Sequence, residues 1–305
     1  MDSPVSIVSY GKNAARANGL AKNRILQIED LISVTKNGSD VFRLNSAESF
    51  PVKIHGETLQ LFWFARDVYK KTSGALNPAI FPVVRAWGFT TGKYRVPSDE
   101  EISALLKKTD FSKVTLAGVT SAPVPFVASL SMQTGMMLDF GSLGKGFACD
   151  EAVRILKKSG ITSALLDLGG NIYVLGKKID GSDWKVGIKN PLGEGVALSL
   201  KVHDSAVVTS GCYERFFEEG GKRYGHIFDG KTGRPVENEL ASVTVVCESG
   251  LYADALSTAL FVKGSAAAIE FWQAHKDFGL ALIFKDGSKW LSPGLPLLSE
   301  LSVER

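Results

Sequence analysis

Apolar and polar positions alternate along this chain with two periods, which predict strands and amphipathic helices. Val5–Tyr10 alternates as a strand does. After Gly11, apolar side chains recur at helical spacing, at Leu20, Ile25, Ile28, Leu31 and Ile32. A second helix is predicted at about Glu57–Lys71. A third is predicted to begin at Ser98, which forms a capping box with Glu101.

From Ser163 onward, short apolar runs separated by glycine predict a series of strands. These are Ser163–Leu168, Ile172–Leu175, Trp184–Lys189, Leu198–Val202, Ser242–Cys247 and Leu280–Phe284. Helices are predicted at about Lys145–Lys158, Ala253–Val262 and Ser265–His275. Because the strands come in runs and do not alternate strictly with helices, the pattern favours an α+β fold over a doubly wound parallel sheet. A single domain over residues 1–305 is predicted, since the sequence has no repeat and no linker-like tract.

Composition and charge are those of a globular, enzyme-sized chain. Of the 305 residues, 45% are hydrophobic and 22% are charged, which excludes disorder, a coiled coil and collagen. The 35 basic residues exceed the 32 acidic ones by three, without basic blocks, so nucleic-acid binding is not indicated. Cys149, Cys212 and Cys247 lie far apart without metal-type spacing and are interpreted as buried thiols.

The sequence shows neither a membrane helix nor a signal peptide. No stretch approaches the roughly 18 apolar residues that a membrane helix needs, and the first residues lack a signal peptide's basic and apolar regions. We therefore expect the chain as given to be soluble. A signal or lipid anchor removed earlier would leave no trace, so the compartment stays open at this point.

The segment Asn77–Phe89 combines two prolines with an aromatic pair, Trp87 and Phe89, around Gly88. Such a loop can offer a flat apolar face to a ring system. It can equally be a rigid connection in which Trp87 only fills the core.

The segment Leu138–Phe147 places glycines before a predicted helix that carries Lys145 in its first turn. Backbone N–H groups at a helix start, together with an ammonium group, suit a phosphate. The segment is neither a Walker loop nor a dinucleotide G-x-G-x-x-G motif. A glycine turn that leads into a packed helix is the alternative.

Two neighbouring polar segments, Ser210–Arg215 and Tyr224–Pro235, contain a candidate base. His226 is predicted to lie in a short strand just before a turn that begins at Asp229. A histidine titrates near neutral pH and can therefore act as a general base. The alternative is a structural histidine next to a turn-capping aspartate.

The segment Tyr252–Leu260 places Asp254, Ser257 and Thr258 on one face of a predicted helix, because residues three and four apart are neighbours there. Hard oxygen ligands of this kind suit Mg²⁺, which often takes phosphate as a further ligand. The alternative is a carboxylate that stabilises the start of its own helix, with two solvated hydroxyls.

Together, the order of these segments along the chain and the residues within them resemble the ApbE family, the FAD:protein FMN transferases. The resemblance runs nearly from end to end. It includes Met1–Ile7, Ser39–Asn45, Pro78–Phe89, Asp139–Asp150, Asp167–Asn171, Trp184–Ile188, Thr209–Gly211, His226–Pro235 and Ala253–Ala259.

The resemblance implies an α+β enzyme, a single large domain of mixed or antiparallel sheets packed with helices. It implies binding of FAD and Mg²⁺, transfer of FMN to a threonine or serine hydroxyl of an acceptor protein, and release of AMP. The implied FAD contacts are Met1, Thr35, Trp87, Gly88, Phe89, Asp139, Lys145 and Phe228. The implied metal ligands are the side chains of Asp254, Ser257 and Thr258 and the backbone carbonyl of Ser142. His226 and Asp254 are the implied catalytic residues.

Relatives in this family usually act outside the cytoplasm, so an extracytoplasmic location, in the periplasm or on the outer face of the membrane, is expected by analogy. Thr35 stands where many relatives have an aromatic ring, and a smaller residue there makes leakage of FMN to water more plausible. A Mg²⁺-dependent FAD pyrophosphatase that yields FMN and AMP is therefore one alternative function. A non-catalytic FAD-binding protein is the other.

Overall fold

The computed structural model describes residues 4–120 and 127–298, which group into two compact units. The first unit comprises Leu26–Gly144 and Glu214–Glu237. The second comprises the described residues up to Ile25, together with Lys145–Tyr213 and the residues from Asn238 onward. Every strand pair among the described residues is antiparallel, and the predicted α+β class is confirmed.

The helices and strands have the following bounds. The helices are α1 Ala14–Ile32, α2 Asp40–Asn45, α3 Gly56–Lys71, α4 Phe81–Ala86, α5 Asp99–Leu106, α6 Gly141–Lys158, α7 Gly250–Lys263 and α8 Ser265–His275, with short 3₁₀ turns at Pro78–Ile80 and Phe111–Lys113. The strands are β1 Val5–Tyr10, β2 Val52–His55, β3 Thr115–Thr120, β4 Val127–Ser131, β5 Ser163–Leu168, β6 Asn171–Leu175, β7 Trp184–Lys189, β8 Val196–Val202, β9 Ser205–Ser210, β10 Phe216–Glu219, β11 Lys222–Gly225, β12 Phe228–Asp229, β13 Arg234–Pro235, β14 Leu240–Cys247, β15 Gly279–Phe284 and β16 Lys289–Leu291.

A seven-stranded sheet in the order β1-β5-β6-β9-β14-β15-β16 forms the centre of the second unit. The β7–β8 hairpin covers one face of this sheet, where an apolar core joins Trp184 and Leu200 of the hairpin to Val174, Val207 and Ile283 of the sheet. Helix α7 packs against β6, β9 and β14. Since successive side chains of a strand point to opposite faces, each central strand contributes to both sides.

The first unit is built around helix α3 and the three-stranded sheet β2-β4-β3. Phe62 of α3 is fully buried and meets Phe111 edge to face, with ring centroids 5.8 Å apart. Ser98 accepts the N–H of Glu101 at 3.2 Å, so the predicted helix start at Ser98 is confirmed. The Glu101 carboxylate, however, pairs with Arg95 at 2.7 Å.

The predicted elements are present, but the prediction did not include strands β2–β4, β10–β13 and β16 or helices α2 and α4. Four further details also differ. Helix α6 begins at Gly141, four residues before the predicted start at Lys145. Strand β9 was not predicted. Leu20 is 45% exposed, so it lies off the buried stripe of α1. His226 was predicted to lie in a strand, but it occupies a bend between β11 and β12. Among the helices within residues 4–120 and 127–298, none has the length and apolar character needed to cross a bilayer.

Candidate functional site

Three predicted metal-ligating side chains lie together on helix α7 in the second unit. Ser249 begins the helix by accepting the N–H of Tyr252 at 3.2 Å. The helical spacing then places Asp254, Ser257 and Thr258 on one face, as predicted. Ser210, at the end of β9, joins them: its Oγ lies 2.9 Å from Ser257 Oγ and 3.2 Å from Thr258 Oγ1. We call Asp254, Ser257, Thr258 and Ser210 the hydroxyl–carboxylate cluster.

Asp254 is deeply buried, with 4% of its surface exposed. Its Oδ2 accepts the N–H of Gly146, on helix α6, at 2.8 Å. Ser257 Oγ donates to the backbone carbonyl of Asp254 at 3.0 Å. The carboxylate is therefore held between two helices and does not merely stabilise the start of its own helix.

Two glycines allow α6 and α7 to approach this closely. A Cβ on Gly146 would lie 2.2 Å from the carbonyl oxygen of Gly250 and 2.8 Å from Cβ of Asp254. Asp150 of α6 holds the other end of the contact, because its carboxylate accepts the N–H groups of Gly250 at 2.6 Å and Leu251 at 3.1 Å. A carboxylate at a helix N-terminus is favourable, so Asp150 fixes the start of the helix that carries Asp254.

Burial raises the pKa of the Asp254 carboxyl, because the charged form loses hydration. The Lys145 ammonium and the Gly146 N–H act in the opposite direction, while the Asp150 charge raises the pKa further. Lys145 Nζ also donates to the backbone carbonyl of Gly169 at 3.2 Å. A buried carboxylate with a perturbed pKa near a lysine is typical of functional sites.

The donor set of this cluster fits a hard cation. One carboxylate and three hydroxyls are oxygen ligands of the kind that Mg²⁺ accepts. The described residues contain no group of three or more His, Cys, Asp or Glu side chains able to hold a metal. A single carboxylate supplies little negative charge to a divalent cation. Mg²⁺ commonly completes its coordination shell with waters and substrate phosphates. We therefore expect a cation here to bind together with a phosphate ligand.

An aromatic cluster in the first unit gathers three of the predicted FAD contacts. It consists of Trp87, Phe89, Phe217, Tyr224 and Phe228, whose neighbouring ring centroids lie 5.1–6.3 Å apart. Trp87 has no exposed surface, and its Nε1 donates to the carbonyl of Gly233 at 3.1 Å. The Trp87 ring is thus part of the core of the first unit.

Gly88 fixes the loop that follows Trp87. Its φ of 89° lies in the left-handed region, and a Cβ would lie 2.1 Å from the carbonyl oxygen of Lys93. No other residue fits this position without moving the backbone. The predicted FAD contacts of Trp87 and Gly88 stay predictions.

The candidate base His226 lies in the same unit and is partly exposed. Its backbone N–H donates to the carbonyl of Arg215 at 3.1 Å, and its Nδ1 lies 3.1 Å from the same oxygen. Because a carbonyl can only accept, the neutral ring carries its proton on Nδ1, and Nε2 is the basic nitrogen. Arg215 in turn donates to the carbonyl of Phe89 at 3.3 Å, which ties the histidine bend to the aromatic loop.

The remaining predicted residues lie at four places along the chain. Asp139 precedes α6 and accepts the N–H of Gly141 at 2.8 Å; burial raises its pKa, against the effects of that N–H and of the Arg215 charge. Ser142 lies in the first turn of α6, in the first unit. Thr35 is exposed, and its Oγ1 lies 3.2 Å from Ser33 Oγ. Met1 lies outside the described residues.

Sequence reasoning assigned no role to Ser210 or Asn171, although both lie in segments that resemble the family. Ser210 ends an apolar strand, and Asn171 begins one after a Gly-Gly turn. A polar residue at the end of a buried strand was the available signal. Strand β9 was not predicted, so Ser210 could not be placed.

The chain is similar to known proteins over most of its length. The ApbE family model matches residues 1–284. The FAD:protein FMN transferase of Treponema pallidum (strain Nichols) is 36% identical over 280 residues, which cover 88% of this chain and 77% of that protein. Its namesake from Klebsiella pneumoniae (strain 342) is 33% identical over 289 residues, covering 94% and 87%.

Two solved structures are also similar to this chain. The ApbE protein from Thermotoga maritima has a TM-score of 0.84 at 29% identity, covering 94% of this chain and 92% of that one. The flavin transferase ApbE from Vibrio cholerae has a TM-score of 0.83 at 27% identity, covering 96% and 94%.

Proposed function

This chain belongs to the ApbE family, and we propose that it is a Mg²⁺-dependent transferase that moves FMN from FAD to a threonine or serine hydroxyl of an acceptor protein and releases AMP. The observation that supports this most is the hydroxyl–carboxylate cluster on α7 and β9, with the Lys145 charge acting on Asp254. Simple binding of a flavin would not require a buried carboxylate of raised pKa.

The diphosphate of FAD must lose negative charge before a nucleophile can attack it. A bound Mg²⁺ would supply positive charge that neutralises the diphosphate. In this chain, Asp254, Ser257 and Thr258 would hold the cation, and the family resemblance adds the carbonyl of Ser142. Lys145 would contribute a second positive charge, from a helix whose N-terminal part also favours anions.

The acceptor hydroxyl needs a base, because an alcohol is a poor nucleophile until its proton leaves. We assign this role to His226, whose Nε2 is the basic nitrogen of the neutral ring. The acceptor oxygen forms a bond to the phosphorus of the FMN half, and the proton passes to His226. The bond from that phosphorus to the bridging oxygen breaks, and AMP leaves with the electron pair.

Mass spectrometry of candidate acceptor proteins tests the proposal. Incubation with FAD, Mg²⁺ and the enzyme should add the mass of FMN, less water, to a threonine or serine. Fragmentation of the product locates that residue. Omission of Mg²⁺ and the Asp254→Asn variant are the controls, and both should form the adduct far more slowly than the complete wild-type reaction. If FAD binds but no acceptor is modified, the transferase proposal fails.

One observation favours a second candidate function, hydrolysis of FAD to FMN and AMP. Thr35 is exposed, and the family resemblance implies an aromatic ring at this position, so the smaller residue would let water reach the phosphorus more easily. Chromatography of FAD incubated with enzyme and Mg²⁺ but without acceptor separates the two activities. Intact FAD excludes hydrolysis, whereas FMN and AMP in equal amounts support it.

A further inference from the structure

The side chain of Asn171 is fully buried at the first position of β6, in the second unit. Among the described residues, neither its Nδ2 nor its Oδ1 has a hydrogen-bond partner. A buried amide normally satisfies its donors and acceptors, and one that does not costs stability. Such a group therefore needs an explanation, and a ligand that supplies the missing interaction is one.

The sheet register places Asn171 on the face that carries α7. Asn171 pairs with Val208 of β9, two residues before Ser210 on the same strand. The neighbouring positions Ile172 and Val207 belong to the apolar core under the β7–β8 hairpin, on the other face. Because side chains alternate, Asn171 and Ser210 point to the same side of the sheet, where Ser210 meets Ser257 and Thr258.

The Asn171 amide also lies beside the Asp254 carboxylate. It contributes to lowering the pKa of Asp254, although no hydrogen bond of normal geometry joins the two groups. The preceding turn is held by Lys145, whose ammonium donates to Gly169, and by Asp167, which accepts the N–H of Gly170 at 2.8 Å. The amide thus starts from an anchored backbone and needs only a side-chain adjustment to reach the carboxylate.

We propose that Asn171 is a positioning residue for the metal ligand Asp254: in the loaded site its Nδ2 donates to one carboxylate oxygen and orients the other toward the divalent cation. The inference rests on the proposed function. Groups that hydrogen-bond to a metal ligand orient it, and removing them typically weakens metal binding by about 10- to 100-fold. In the ligand-free protein the same amide is left without partners, which costs stability.

This proposal predicts opposite effects of one substitution in the two states. Asn171→Leu keeps the branched shape but removes both orphaned polar atoms. The ligand-free variant should therefore melt higher than the wild type, by about 2 °C. The factor by which Mg²⁺ increases FAD affinity should be about 10-fold smaller in this variant than in the wild type. Asn171→Ala provides a second variant if leucine is too large for the site, and its metal effect should be the same.

The experiment measures FAD binding by flavin fluorescence with and without MgCl₂, together with melting temperatures of the ligand-free proteins. Ser242→Ala is the matched control, because Ser242 Oγ is also buried without a partner, on β14 of the same sheet. It should raise the melting temperature as well, but leave the Mg²⁺ enhancement unchanged.

The outcomes separate this inference from the proposed function. If Mg²⁺ enhances FAD binding equally in the wild type and in both Asn171 variants, Asn171 does not position a metal ligand and the proposed function stands. If the wild type shows no Mg²⁺ enhancement, the metal assignment itself fails and the inference fails with it. The Asn171 variants could also lose FAD affinity to the same extent with and without Mg²⁺. That result overturns the proposal, since it indicates a general packing defect.

Discussion

The hydroxyl–carboxylate cluster of the second unit and the aromatic cluster of the first are both largely buried, but they differ in how well their buried groups are satisfied. In the aromatic cluster every ring packs against another, and the one indole N–H at its centre donates to Gly233. In the hydroxyl–carboxylate cluster, burial raises the pKa of Asp254, and the adjacent Asn171 amide has no hydrogen-bond partner within residues 4–120 and 127–298.

This contrast separates a region that is complete in itself from one that a ligand would complete. Natural proteins keep such unfavourable arrangements mainly at functional sites, where they exchange stability for activity. We therefore expect substitutions in the aromatic cluster to act mainly on stability. Substitutions in the hydroxyl–carboxylate cluster should act mainly on binding and catalysis.

The largest expected effect comes from Asp254→Asn. The amide can still accept the N–H of Gly146, so the helix contact is preserved, but the negative charge for the cation is lost. We expect flavin transfer to fall by about 10³-fold. The melting temperature of the ligand-free protein at neutral pH should rise, because burial disfavours the carboxylate. Adduct formation rates and differential scanning fluorimetry measure the two effects.

Asp30→Asn is a suitable control, because Asp30 is an exposed carboxylate of α1 that pairs with Lys36. It should change neither rate nor melting temperature appreciably. Transfer by Asp254→Asn at the wild-type rate would show that the cluster is not the metal site, and the contrast between the two clusters would be wrong.

The next effect is on stability. Trp87→Leu removes a fully buried ring and leaves the carbonyl of Gly233 without its donor. We expect a loss of about 3 kcal/mol in the free energy of unfolding. Trp63→Leu in the same unit is the matched control, because Trp63 is 45% exposed, and its cost should stay below about 1 kcal/mol. Urea titrations measure both, and equal losses would show that the aromatic cluster is not a well-packed core.

A smaller effect is expected where the two helices of the second unit meet. Gly146→Ala would drive a Cβ into the backbone of α7, and we expect a loss of about 2 kcal/mol in unfolding free energy together with weaker Mg²⁺-dependent FAD binding. Gly19→Ala is the opposite control. Gly19 lies inside α1, and a Cβ added there would meet no heavy atom within 4 Å apart from its chain neighbours and the adjacent backbone of its own helix. Alanine should therefore stabilise by about 0.5–1 kcal/mol. Stabilisation by both substitutions would show that α6 and α7 do not meet as closely as described.

The sequence predicted the parts of the site that depend on local spacing. Asp254, Ser257 and Thr258 were grouped correctly because neighbours on a helix face follow from residue number alone. Ser210 and Asn171 come from strands, and their positions depend on the register of β6 against β9 and on the packing of α7 above them. No local pattern encodes that register, so these two residues needed the structure.

The same limit explains the two interpretations of Trp87. From the sequence alone, a tryptophan that precedes a glycine in a proline-containing segment is compatible with two roles. It can present a flat surface to a ligand's ring system, or it can fill the core. Phe217 and Tyr224, more than a hundred residues away, pack against the indole. Burial at this position is a tertiary property, whereas the α+β class followed from the order of strands and helices along the chain.

The smallest expected effect is the pH dependence of stability that Asp254 produces. Its pKa in the folded protein is raised, chiefly by burial, whereas in the unfolded chain an aspartate titrates near pH 3.9. Between these two values the folded state holds a proton that the unfolded state has released. The unfolding free energy of the wild type should therefore fall as pH rises through this window and level off above the folded pKa.

Subtracting the melting curve of Asp254→Asn isolates this contribution, because Asp139 and Asp150, whose pKa values are also raised, are present in both proteins. With FAD and MgCl₂ the slope should flatten or reverse, because a cation binds the deprotonated carboxylate and displaces the proton. FAD affinity in Mg²⁺ should then rise with pH across the same window. A difference between wild type and variant that does not change with pH would show that Asp254 titrates normally, and the hydroxyl–carboxylate cluster would then be as complete without a ligand as the aromatic one.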